Sequence, residues 1–121
     1  MRKDHGLETL LDLNGQVIDQ GGGFWIKIDA WVVQASEAIP HGIRYSLTLH
    51  EPCGTRILGY DNAHQIRLPG KFRYAGKRRA FDHIHKQGRE EIVHYEFQTA
   101  DQLLSDFFAD ADKALNRLRN R

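Results

Sequence analysis

Ile43-Arg44-Tyr45-Ser46-Leu47-Thr48-Leu49-His50 is a stretch in which apolar and polar side chains alternate at every position. The odd positions carry Ile, Tyr, Leu and Leu, whereas the even positions carry Arg, Ser, Thr and His. Because successive side chains of a strand point to opposite faces, such alternation is typical of an antiparallel strand with one buried face. The stretch therefore predicts a half-buried strand.

Segments on both sides of this strand extend it into a sheet. Residues 51–54 have turn composition, and residues 56–60 predict a short returning strand. Residues 24–34 alternate with period two and predict a long strand upstream, while residues 80–86 and 91–97 predict a last strand pair. The expected sheet therefore has five or six antiparallel strands.

The N-terminal segment also contains a turn signal. Asn14-Gly15 separates two apolar runs, and Asn-Gly is the strongest short signal for a two-residue hairpin turn. Residues 7–20 are therefore predicted to form a β-hairpin.

One helix is predicted, at the C-terminus over residues 99–118. Thr99 followed three residues later by Gln102 has the form of a capping box. Apolar residues then recur at three- and four-residue spacing, which gives one broad apolar stripe: Leu103, Leu104, Phe107, Phe108, Ala111, Leu115 and Leu118. The predicted fold class is α+β, an antiparallel sheet with this amphipathic helix packed on it.

Length and composition limit the class of protein. With 121 residues, 27% charged and 40% apolar, residues 1–121 are expected to form one ordinary globular domain. The single Cys53 excludes an internal disulfide. The sequence contains no leader and no apolar run of membrane-spanning length, so a cytoplasmic protein is expected. No cofactor is predicted.

Positive charge is concentrated in one segment. Residues 67–89 carry eight Lys or Arg against the single acid Asp82, a net charge of +7 in a chain whose total is +1. Residues 62–79 show no convincing period, which predicts a long surface loop, and loops of that length are usually functional or disordered. Concentrated positive charge suits a polyanion such as RNA. The candidate nucleic-acid-binding residues are Lys71, Arg73, Tyr74, Lys77, Arg78, Arg79 and Lys86.

Two histidines follow the basic loop. On an extended segment His83 and His85 share a face, about 7 Å apart. Three interpretations remain open: acid–base cleavage of RNA, a metal site completed by His64 or Asp61, and imidazoles that serve only structure. For catalysis, Asp82 or Asp61 would orient an imidazole, although the residue types of Asp61 and Asn62 favour a structural role in a turn.

The order of these elements resembles a known family. Gly59-Tyr60-Asp61-Asn62-Ala63-His64, a basic stretch and Phe81-Asp82-His83-Ile84-His85 are followed by Tyr95-Glu96-Phe97 and Leu103-Leu104-Ser105-Asp106-Phe107. With His41-Gly42-Ile43-Arg44-Tyr45 upstream, this succession is similar to the TumE-type toxins of bacterial and archaeal toxin–antitoxin pairs. The similarity extends over about residues 41–112.

The resemblance implies a small toxin that is bound and silenced by an antitoxin, often a helix-turn-helix protein. The polar positions that match the family are Asp61, Asn62, Asp82, His83 and His85. The chain departs from compact family members in its longer, more basic linker between Asn62 and Asp82, and residues 1–24 have no clear counterpart.

The sequence therefore predicts a toxin that acts on RNA as a metal-independent ribonuclease. Its predicted catalytic residues are His83, His85, Asp82 and Asp61. The alternatives are a non-enzymatic module that binds nucleic acid or a partner protein, and a metal-binding protein that uses His64, His83 and His85.

Overall fold

The computed structural model describes residues 5–62, 65–67, 78–80, 82–86 and 91–120. Within these residues the chain forms two helices and eight strands. In chain order the elements are α1 His5–Asp12, β1 Val17–Gly21, β2 Phe24–Val32, β3 Ile43–His50, β4 Arg56–Asp61, β5 Gln65–Arg67, β6 Arg78–Ala80, β7 His83–Lys86, β8 Glu91–His94 and α2 Ala100–Arg119.

The main sheet has six strands in the order β1-β2-β3-β4-β7-β8, and every neighbouring pair is antiparallel. Together with α2, it confirms the predicted α+β class. The alternating stretch Ile43–His50 forms β3, an inner strand. Its odd positions are buried and its even positions are half-buried, as the pattern predicted.

The helices pack on one face of this sheet, here called the core face. Its centre is formed by alternate residues of the inner strands, such as Ile28 of β2, Leu47 of β3 and Tyr60 of β4, and by Leu103 and Phe107 of α2. The side chain of Thr99 accepts a hydrogen bond from the Gln102 backbone N–H at 3.0 Å, so the predicted cap of α2 is confirmed. The opposite face of the sheet is called the outer face.

The N-terminal hairpin prediction is wrong, because residues 5–12 form a helix. Leu7 and Leu10 are three residues apart on one helix face, and Leu10 is fully buried in the core. The Asn-Gly pair turns the chain from α1 into β1 instead. Gly15 adopts a positive φ of 83° and donates to the Ile28 carbonyl, while the Asn14 side chain accepts from Ala30 N–H.

The region predicted as a continuous loop over residues 62–79 contains two short strands. β5 and β6 pair as a separate two-stranded sheet, with Gln65 opposite Ala80 and Arg67 opposite Arg78. Residues 63–64 and 68–77 lie outside the described residues.

Candidate functional site

The histidine pair lies on the outer face, on an inner strand of the sheet. β7 pairs with β4, so that His83 is directly opposite Asp61 and His85 is directly opposite Gly59. On the core face the same two strands place Ile84 opposite Tyr60, and both of these residues are buried. By this register His83 and His85 occupy the strand positions that alternate with the buried Ile84.

Asp61 is a buried acid of the outer face. It pairs with Ser46 of β3 on one side and with His83 of β7 on the other, and its relative exposure is only 1%. Directly opposite residues of antiparallel strands have Cβ atoms about 5 Å apart. The sheet register thus brings together two predicted site residues, Asp61 and His83, that are far apart in sequence.

The carboxylate of Asp82 has other partners. One of its oxygens accepts a hydrogen bond from the Tyr45 hydroxyl at 2.6 Å and lies 3.0 Å from His41 Nε2. Asp82 precedes His83 by one residue and has the parity of Ile84, so it belongs to the core face. Of the two predicted carboxylates, Asp61 and not Asp82 shares the face of the histidine pair.

His41 uses both of its ring nitrogens within this cluster. Ile43 N–H donates to Nδ1 at 3.2 Å, and Nε2 therefore carries the proton that is donated to Asp82. The imidazole also stacks on Phe97 with the ring centroids 3.8 Å apart. Because every polar atom of this imidazole is already bonded, His41 stabilises the fold where β3 and β7 begin.

Tyr45 completes the cluster as a permanent hydrogen-bond donor. Burial, followed by the charge of Asp82 and the hydrogen bond to it, raises the pKa of the Tyr45 hydroxyl well above its ordinary value. The hydroxyl consequently keeps its proton throughout the physiological range.

Asn62 is fully buried and structural. Its side-chain oxygen accepts from Tyr45 N–H and its amide nitrogen donates to the Ile43 carbonyl, each at 2.8 Å. The Asn62 backbone N–H donates to the Tyr45 carbonyl at 3.1 Å. The Asn62 side chain therefore hydrogen-bonds backbone groups of β3. It replaces the hydrogen bonds that a paired strand would make there, because β4 ends at Asp61.

Three of the seven predicted nucleic-acid-binding residues belong to described strands. Lys71, Arg73, Tyr74 and Lys77, like the candidate metal ligand His64, lie outside the described residues. Arg78 and Arg79 belong to β6, and Lys86 ends β7 opposite Leu58. Among the described residues no group of three or more His, Cys, Asp or Glu is placed to hold a metal ion.

The alternation of apolar and polar residues does not predict the role of His41, because its partner Asp82 is 41 residues further along the chain. Its only sequence signal is its place in the His41-Gly42-Ile43-Arg44-Tyr45 succession. The alternation in residues 43–50 predicted that Tyr45 is buried. It did not predict the hydrogen bond to Asp82, because that contact depends on which strands are neighbours in the sheet.

The fold and site thus define an α+β protein that carries a histidine pair on the sheet face opposite its helices. The chain belongs to the Toxin TumE family, whose sequence model matches residues 8–115. It is therefore the toxin component of a toxin–antitoxin system, and an antitoxin is its expected partner. No curated protein and no solved structure matches the chain.

The family match begins at residue 8, within α1. The expectation that residues 1–24 lack a family counterpart is therefore wrong for most of this segment, and the similarity is longer than residues 41–112. In the part of the chain that the structure describes, neither helix has the length and apolar character needed to cross a membrane.

Proposed function

We propose that this toxin is a metal-independent ribonuclease in which His83 and His85 are the acid and the base. One imidazole removes the proton of a ribose 2′-hydroxyl, and the 2′-oxygen then attacks the adjacent phosphorus. As the bond from phosphorus to the 5′-oxygen breaks, the other imidazolium protonates that oxygen. The products are a 2′,3′-cyclic phosphate end and a 5′-hydroxyl end.

The observation that supports this proposal is the register of β4 and β7, which pairs His83 with Asp61 and His85 with Gly59. Two imidazoles about 7 Å apart along a strand can flank one phosphodiester. A carboxylate beside an imidazole holds the ring in position and stabilises the cation that forms during proton transfer. We assign that positioning role to Asp61, because it is the carboxylate paired directly with His83 across β4 and β7.

The basic segment supplies affinity for the RNA backbone in this proposal. Lys71, Arg73, Lys77, Arg78, Arg79 and Lys86 would neutralise phosphates, and Tyr74 would stack on a base. The antitoxin is proposed to be a helix-turn-helix protein that binds the toxin in the cytoplasm and blocks this activity.

The test is cleavage of end-labelled RNA by purified toxin, with and without a metal chelator. Cleavage is expected to survive the chelator and to leave 2′,3′-cyclic phosphate ends. Because acid–base groups contribute about 10²–10⁴-fold to such reactions, His83→Ala and His85→Ala should each lower the rate by at least about 100-fold. The double variant should also fail to arrest growth when it is expressed in cells.

His50→Ala is the matched control for these variants. His50 lies on the outer face, but its nitrogens lie 2.9 Å from Thr48 Oγ1 and 3.0 Å from the Gly54 carbonyl, and its ring stacks on Trp25. This variant should cleave RNA at the wild-type rate per folded molecule. A double His83→Ala, His85→Ala variant as toxic as the wild type would show that the catalytic assignment is wrong.

The same assay separates the alternatives. Cleavage that the chelator abolishes would favour a metal site that includes His64, and RNA retained without cleavage would favour a binding module.

A further inference from the structure

Arg56 lies on the outer face next to the histidine pair, although it belongs to neither the basic segment nor the predicted site. It is the first residue of β4 and its side chain is exposed. If Gly59 carried a Cβ, that atom would meet Arg56 Cδ at 3.3 Å and Arg56 Nε and Nη1 at 3.6 Å. The guanidinium group therefore runs along the outer side of Gly59.

A bulge in the sheet explains this direction. Leu49 pairs with Leu58, but the next residue of β3, His50, pairs with Arg56, so Ile57 is an extra residue in β4. Without the extra residue, Arg56 would share the core face with Leu58 and Tyr60. The bulge moves Arg56 to the face of Gly59 and Asp61.

Gly59 gives the guanidinium room beside His85, its cross-strand partner. Directly opposite Cβ atoms are about 5 Å apart, so the space that a Gly59 side chain would fill adjoins the imidazole. Arg56 occupies the edge of this space. His85 and Arg56 consequently approach the same small region of the outer face from different strands.

Other cations of this face already have partners. Lys27 Nζ lies 3.2 Å from Asp29 Oδ1, and Arg44 Nη1 donates to the Asn62 carbonyl at 3.3 Å. In the described part of the chain, the side chain of Arg56 forms neither a hydrogen bond nor an ion pair. An exposed guanidinium without a protein partner, next to a proposed catalytic imidazole, is suited to bind an anion.

We propose that Arg56 binds the scissile phosphate of the RNA and stabilises the negative charge that develops on its non-bridging oxygens. This inference rests on the proposed ribonuclease function and adds a third group to its site. Guanidinium is planar and offers parallel N–H donors, which match two oxygens of one phosphate. Charge stabilisation of this kind contributes most in the transition state.

Three variants test the role of Arg56 in cleavage. Loss of one preorganised donor costs about 10²–10³-fold in rate, so Arg56→Ala should lower kcat by about that factor. Arg56→Lys should keep the charge but regain only part of the rate, because ammonium lacks the planar fork. Gly59→Ala should lower kcat without loss of stability, since its methyl group displaces only the flexible stem of Arg56.

RNA binding supplies a readout that does not depend on cleavage. The ligand is an RNA oligonucleotide with 2′-O-methyl groups throughout, which cannot cyclise. Each phosphate contact contributes about 0.7 to the slope of log Kd against log salt for a single strand. Arg56→Ala should therefore reduce the slope by about 0.7. Arg117→Ala, which removes an exposed arginine of α2, should leave both slope and cleavage unchanged.

The outcomes separate this inference from the proposed function. If the wild type cleaves RNA and His85→Ala does not, a fully active Arg56→Ala overturns the role of Arg56 alone. If the wild type binds RNA without cleaving it, a reduced salt slope in Arg56→Ala supports the phosphate contact, and an unchanged slope overturns it. Absence of any RNA binding overturns both proposals.

Discussion

Tyrosine hydroxyls bind aspartates on the core face of the sheet. Tyr45 donates to Asp82, Tyr95 donates to Asp106 at 2.6 Å, and Tyr60 donates to Asp110. In each case burial is the largest cause that raises the pKa of the tyrosine, and the hydrogen bond and the charge of the neighbouring aspartate add to it. These phenols therefore keep their protons in the folded protein at pH values where free tyrosine ionises.

This shift makes the contribution of Tyr45 to stability depend on pH. Unfolded Tyr45 loses its proton near pH 10, whereas the folded protein retains it. The folded state then binds more protons than the unfolded state, so the free energy of unfolding falls as the pH rises above 10. Well below pH 10 both the folded and the unfolded state keep this proton, so Tyr45 makes its full contribution to stability there.

Tyr45→Phe should reveal this dependence. At pH 8 the variant should lose about 2 kcal/mol, since it lacks a hydrogen bond to a charged group. Above pH 10 the difference from the wild type should shrink by about 1.4 kcal/mol per pH unit, because only the wild type has this shifted hydroxyl. Urea unfolding of both proteins from pH 8 to pH 11 measures it. A difference that stays constant or widens over that interval would contradict the expectation.

Helix α1 docks on the N-terminal turn of α2 through Gly6. A Cβ at Gly6 would overlap with the backbone N and Cα of Asp101. Gly6 is itself buried, and the two closest overlapping atoms belong to the backbone, so a side-chain rotation cannot relieve the clash. The close approach of the helices therefore requires glycine at this position.

Gly6→Ala should accordingly destabilise the protein by about 1–3 kcal/mol, the usual cost of overpacking. Helix propensity alone predicts the opposite sign, because Ala stabilises a helix interior by up to about 1 kcal/mol relative to Gly. Glu8→Ala, at an exposed position of the same helix, is the control and should be nearly neutral. Thermal unfolding of the variants decides between the two effects, and a stabilised Gly6→Ala protein would refute the docking contact.

Elements with a long, clean pattern could be predicted from the sequence. The strand at residues 43–50 has the predicted bounds, and the helix predicted over residues 99–118 is observed at Ala100–Arg119. The error at residues 7–20 arose because Asn14-Gly15 signals a tight turn without specifying what precedes it. The helical spacing of Leu7 and Leu10 competes with that signal, and burial of Leu10 against the rest of the core favours the helix.

For the molecule as a whole, the sequence predicts which residues share a strand face but not which strands are neighbours. Period two predicted that His83 and His85 share a strand face, and both residues belong to β7. The position of Asp61 opposite His83 depends on the pairing of β4 with β7, which are separated by the basic segment. The sheet face of Arg56 was harder to predict. Strict alternation assigns Arg56 to the core face, but the extra residue Ile57 moves it to the outer face.

The sheet therefore separates two aspartates that the sequence treated as equivalent candidates. Asp61 lies on the outer face with the histidines, and Asp82 lies on the core face with His41 and Tyr45. The same change, Asp to Asn, removes the charge from either residue while preserving its size. The change should lower catalysis at Asp61, which pairs with the proposed catalytic His83. It should lower stability at Asp82, which binds His41 and Tyr45.

Asp61→Asn should lower RNA cleavage per folded molecule by about 10–100-fold, the usual effect of losing a group that orients a functional side chain. The loss should fall on kcat rather than on KM, because the carboxylate stabilises the cation that forms on the imidazole during proton transfer. Asp82→Asn should instead lose about 1–3 kcal/mol of stability, because the amide leaves one of its two buried donors without an acceptor. Its kcat and KM, corrected for the folded fraction by circular dichroism, should match the wild type. The reverse pattern, with cleavage lost in Asp82→Asn and retained in Asp61→Asn, would mean that the chemistry is organised from the core face.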